Sequence, residues 1–92
     1  MIKMVDKFEN VFDAIAASPE EALNMKLRAG LIREIRAIVT DAGWTQTETA
    51  HQLGITQPRV SDLLRGKLSK FSLDALVKML ASLGSDVELR VA

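Results

Sequence analysis

The stretch QTETAHQLGITQPRVSDLLR, residues 46–65, decides the fold of this 92-residue chain. Gln46 to Leu53 reads as a helix of two turns, stopped at Gly54. Thr56 stands where it can cap a second helix, Gln57 to Leu64, and Pro58 is tolerated because the first turn does not need its missing N–H. Gly66 ends that helix. Two helices this short cross only where a small residue lets their backbones approach, and Ala50 supplies one. The tight turn between them needs a residue free to take positive φ, which Gly54 supplies. Leu53, Ile55, Val60 and Leu63 have the spacing to anchor the pair to a larger core.

Working outward, Ser18-Pro19 followed by Glu21 is a helix start: Ser18 at the N-cap, Pro19 at the first helical position, an acid three residues after the cap. The helix predicted from there carries an apolar stripe at Leu23, Leu27, Leu31, Ile35 and Ile38, widened by Ile32 and Val39, and stops near Gly43. Gly30 in its middle costs about 1 kcal/mol relative to alanine, which suits a bend or a close helix contact. Trp44 reads as a core plug beneath the two short helices. Upstream, residues 1–25 form a helical extension in which Phe8, Val11, Phe12 and Ile15 keep a helical period. Downstream, Ser72 caps a helix with Leu73, Leu76, Val77, Leu80 and Leu83 on one face, closed by Gly84. The tail, residues 86–92, alternates polar and apolar like a strand. A lone strand must pair, and an identical strand from a second chain is the economical partner, with Val87, Leu89 and Val91 as the dimerisation residues.

Composition bounds the rest. Hydrophobic residues make up 48% and charged residues 26%, which fits one globular domain over residues 1–92 and excludes a disordered tail. No apolar run approaches the ~18 residues of a membrane span. Cysteine is absent, which removes disulfides and thiol chemistry and suits a cytoplasmic location. The single His51 cannot assemble a zinc site and reads as a surface residue. Twelve basic and twelve acidic residues cancel, but unevenly: residues 1–25 sum to −3, residues 26–70 to +4 and residues 71–92 to −1. A basic middle can still present a cationic face, because screening acts over about 8 Å at physiological salt, although charge alone favours ordinary solvated surface. No paired-carboxylate signature, phosphate loop or HExxH occurs, so no enzyme and no cofactor are expected.

The requirements met by residues 46–65 are those of a helix-turn-helix, whose second helix docks in the DNA major groove. Through Gln46, Ala50, Gly54, Ile55, Val60, Ser61, Leu63 and Gly66-Lys67, the sequence resembles the XRE family of phage-repressor and Cro-like regulators over roughly residues 27–83. That resemblance implies an all-α, lambda-repressor-like domain of about five helices with a short C-terminal strand. The run from Thr45-Gln46 to Gly84, with a terminal strand after it, resembles the HigA-type antitoxin branch. Such a protein is a homodimeric transcriptional repressor of an inverted-repeat operator and neutralises a RelE/HigB-like toxin. A stand-alone regulator, or an interaction module that has lost DNA binding, is the alternative.

Roles follow by position. Gln46, at a helix N-terminus, resembles a phosphate contact of the family. Gln57 and Arg59 lie on the first turn of the second helix; glutamine pairs with adenine, and Arg59 suits guanine or a phosphate. Ser61 matches a family position facing the groove or backbone, and Asp62 reads as a cap or a partner of Arg65. Thr45, Thr47 and Thr56 suit phosphate contacts or caps, while Lys67 and Lys70 sit where relatives grip the backbone, and Arg65 is a further DNA-contact candidate. Phe8, Glu9, Phe12 and Asp13 offer an acidic-apolar face for a basic toxin, or simply staple the first helix to the core.

Overall fold

The computed structural model describes residues 18–85, together with the backbone of two short strands, Ile2–Met4 and Val87–Leu89. In chain order the elements are β1 (Ile2–Met4), α1 (Pro19–Ala42), α2 (Gln46–Leu53), α3 (Gln57–Leu64), a 3-10 turn (Leu68–Lys70), α4 (Leu73–Ser82) and β2 (Val87–Leu89). The described residues therefore form a helical domain of four α-helices. The helix expected around Phe8–Ile15 lies outside the described residues, as does Val91.

α1 starts as its sequence dictates. Ser18 holds an extended backbone, its hydroxyl accepts from the Glu21 amide at 3.1 Å, and Pro19 fills the first turn. It ends at Gly43, whose φ of 67° lets the Gly43 and Trp44 amides turn back onto the Thr40 and Val39 carbonyls. Between those caps runs the spine of the domain. α2 and α3 have 8 residues each and α4 has 10, all below the ~12–15 at which an isolated helix holds together in water. They persist because Leu31, Ile32, Ile35 and Val39 of α1 pack into one core with Leu53, Leu63, Phe71, Leu76, Met79 and Leu80. Each such side chain removed from water contributes roughly 1.5–3 kcal/mol.

Two members of the expected stripes stand outside that core. Leu23 is 46% exposed and Val77 is 41% exposed. On α1 the small residues Ala22 and Gly30 are buried instead, and small side chains carry little periodic signal. On α4, Val77 sits 100° around the helix from Leu76, off the arc shared by Leu76, Met79 and Leu80. Trp44 packs against the core but remains half-exposed, an edge rather than a plug.

β1 and β2 pair in parallel with Ile2 opposite Val87, Lys3 opposite Glu88 and Met4 opposite Leu89. Within the chain, the extended tail is paired with β1. β1 escapes a reading by periodicity because three residues are too few to establish one. No helix among the described residues is long and apolar enough to cross a membrane.

The contrast within α4 is directly measurable. Leu76→Ala should lower unfolding free energy by about 2–5 kcal/mol, whereas the adjacent Val77→Ala should change it by about 0.5 kcal/mol, read from urea denaturation midpoints.

Candidate nucleic-acid interface

α2, the turn at Gly54 and α3 make the unit from which the site is built. α2 begins with a capping box: the Thr45 hydroxyl accepts from the Glu48 amide at 3.1 Å, and the Glu48 carboxylate accepts from the Thr45 amide at 3.3 Å. The signal for it, a threonine three residues before a glutamate, is present in the sequence and assigns Thr45 to capping. Gly54 takes φ 69°, and no atom lies within 4 Å of where its Cβ would stand, so backbone conformation alone selects glycine there. The Ile55 amide then closes onto the Ala50 carbonyl at 3.0 Å. Ala50 is half-buried; the fully buried residue one position earlier is Thr49, whose hydroxyl donates to the Thr45 carbonyl at 2.8 Å.

α3 is fixed by Val60 and Leu63, both with no exposed surface. At 100° per residue, burying those two turns Pro58, Ser61, Asp62 and Arg65 outward. Pro58 and Arg65 are exposed, and Ser61 and Asp62 are half-exposed. Thr56 occupies the N-cap position in extended conformation but makes no side-chain cap bond. The cap expected of its hydroxyl is therefore absent, and the first turn of α3 meets solvent. Gln57 ties the two helices together, its Nε2 donating to Thr47 Oγ1 at 3.1 Å. Gln46 is exposed at the start of α2.

The cations sort into held and free. Arg59 is turned back, its guanidinium 4.8 Å from the centroid of the buried Phe71 ring. Arg28, reaching over from α1, donates through Nη1 to the Leu68 carbonyl at 2.8 Å and the Phe71 carbonyl at 3.4 Å, and through Nε to Asn24 at 2.6 Å. Lys67 pairs with Asp62 at 3.4 Å, so the aspartate expected beside Arg65 has a different partner. The reason is the end of α3: Gly66 at φ 70° turns the chain so that the Lys67 amide bonds the Asp62 carbonyl at 3.1 Å, bringing that side chain back. Arg65 and Lys70 are exposed and engage no described residue through their side chains. His51 is exposed as well. No group of three or more His, Cys, Asp or Glu among the described residues is placed to hold a metal ion.

A family profile described as a helix-turn-helix domain matches residues 12–92. The chain belongs to the helix-turn-helix domain family. No curated protein matches it as a relative. The matched span takes in α1 through β2, including both helices of the motif. Val87 and Leu89 fall in β2, while Phe8, Glu9, Phe12 and Asp13 lie outside the described residues.

The two caps make separate predictions. Thr45→Ala should cost about 1 kcal/mol, and Thr56→Ala, which removes no cap bond, less than about 0.5 kcal/mol, both by thermal or urea unfolding.

Proposed function

We propose that this helix-turn-helix protein is a sequence-specific DNA-binding transcriptional repressor. One observation carries the reading: the outward face of α3, bounded by Pro58, Ser61 and Arg65, meets solvent while Val60 and Leu63 hold the helix from behind. A helix so mounted fits the major groove, about 12 Å wide, with side chains reaching base edges. Gln57 and Ser61, in the N-terminal half of α3, are the base-facing candidates, glutamine pairing bidentately with adenine; Arg65, at the C-cap, joins the phosphate contacts. Arg59 acts chiefly by holding Phe71, with a phosphate contact as its second role. Gln46, Thr56, Lys67 and Lys70 meet the phosphate backbone, and Lys67 exchanges Asp62 for phosphate as it does so.

Pairing of two copies would present two recognition helices about 34 Å apart and require an inverted-repeat operator. A two-stranded sheet such as β1–β2 has an outer edge on each strand, so residues Val87, Leu89 and Val91 remain the proposed route to a homodimer. The antitoxin reading rests on the resemblance of residues 45–84 to the HigA-type branch, with Phe8, Glu9, Phe12 and Asp13 as the contact for a basic RelE/HigB-like toxin. The stand-alone regulator is the reading that remains if co-expression with the neighbouring gene's product yields no complex.

Selection from a pool of randomised duplexes should enrich an inverted repeat. Gln57→Ala should weaken binding to that repeat by about 1–3 kcal/mol and relax preference at one base pair per half-site, while Arg59→Ala keeps the preference. Failure to enrich any sequence would remove the proposal, and an unchanged preference in Gln57→Ala would remove its base-reading role.

A further inference from the structure

We infer that Arg36, on α1, is a phosphate-binding residue of the DNA interface, acting beside Arg65 and Lys70 at the C-terminal end of α3. The inference rests on the DNA-binding reading and adds to it a contact from a helix outside the helix-turn-helix.

Between residues 26 and 70 there are eight basic side chains. Arg28, Arg59 and Lys67 are held by the contacts described above, and Lys26 and Arg33 also have partners. Three cations are left without a hydrogen bond or ion pair to a described residue: Arg36, Arg65 and Lys70. All three belong to one end of the recognition helix. Arg65 is its C-cap, and Lys70 closes the 3-10 turn that follows. Arg36 is thirty positions away from Gly66 in sequence, yet its Nη1 lies 3.8 Å from where a Cβ on Gly66 would stand.

Two ordinary explanations for an arginine in that place fail. It is not capping α3: it makes no hydrogen bond to a described carbonyl, and three of the last four carbonyls are already met, Ser61 by the Arg65 amide, Leu63 by the Gly66 amide and Asp62 by the Lys67 amide. Nor is it neutralising an acid, since Asp62, the one carboxylate of α3, pairs with Lys67. An exposed guanidinium held against a helix end that already carries Arg65 raises the local positive potential. The α3 dipole itself favours a cation at this end, but Arg36 and Arg65 together, with Lys70 in the turn that follows, leave a surplus of positive charge that an approaching anion neutralises. A helix seated in the groove by its N-terminal residues carries its C-terminal end toward the phosphate wall, where a guanidinium fork binds phosphate oxygens in pairs.

The test uses the full chain and a duplex of about 20 base pairs of mixed sequence, because neutralised phosphates appear in the salt dependence of non-specific binding. Binding is followed by fluorescence anisotropy between about 50 and 200 mM KCl. Arg36→Ala should make the plot of log affinity against log salt shallower by about one. Arg36→Lys, which keeps the charge, should restore most of the slope. Lys78→Ala, at an exposed position of α4, should match the wild type. Circular dichroism melting checks that each variant stays folded. A wild-type slope in Arg36→Ala overturns the inference while leaving the DNA reading intact; salt-insensitive or absent binding by the wild type overturns both.

Discussion

Arg28 reaches from the middle of α1 to the carbonyls of Leu68 and Phe71, and Arg59 covers the Phe71 ring from α3. Between them they fix the turn on which the rest of the domain closes. That turn has few bonds of its own: the Lys70 amide to Lys67 and the Phe71 amide to Leu68. A hydrogen bond from a charged donor contributes about 1.5–3 kcal/mol, more than either of those. Phe71, buried to 2% exposure, enters the core because its main chain is held at that position. Ser72 then starts α4, its hydroxyl accepting from the Ala75 amide at 3.1 Å, and α4 lays Leu76, Met79 and Leu80 against α1. Loss of the clasp would therefore loosen both the end of α3 and the start of α4.

The same clasp divides the positive charge by task. Cations committed to the fold are bound to carbonyls, to an aromatic face or to Asp62. Within residues 26–70, the cations without a described partner, Arg36, Arg65 and Lys70, belong to the end of α3 and the turn after it. A chain with zero formal net charge can thereby meet a polyanion, because several acids are engaged within the fold: Glu20 and Glu21 lie in the first turn of α1, Glu48 is in the capping box of α2 and Asp62 pairs with Lys67. Acids at helix starts also interact favourably with the helix dipole, so placing them there serves stability.

Much of this fold is legible in the chain. Ser18, Ser72 and the glycines after each helix mark the boundaries, and α2 and α3 take the spans read from their own residues, because caps and turns are local signals. Parts of the core were legible only in outline: periodicity chose Leu23 and Val77, which are exposed, and passed over Ala22, Thr49 and Met79, which are buried. A three-residue β1 gave no pattern at all. The site was legible as a list of polar residues but not as an arrangement. Arg28 and Leu68 are 40 residues apart, and nothing in a linear reading separates an arginine that clasps a turn from one that faces solvent. For the same reason Arg59 stood out by its place on the recognition helix, and Arg36 did not stand out.

Arginines held by the fold and arginines free for DNA are different residues. Side-chain Nε–H resonances of the labelled protein, followed by NMR as duplex DNA is added, report on each guanidinium separately. The Arg36 and Arg65 signals should shift with DNA while those of Arg28 and Arg59 stay in place. Shifts in Arg28 and Arg59 with Arg36 and Arg65 unmoved would contradict that division of roles.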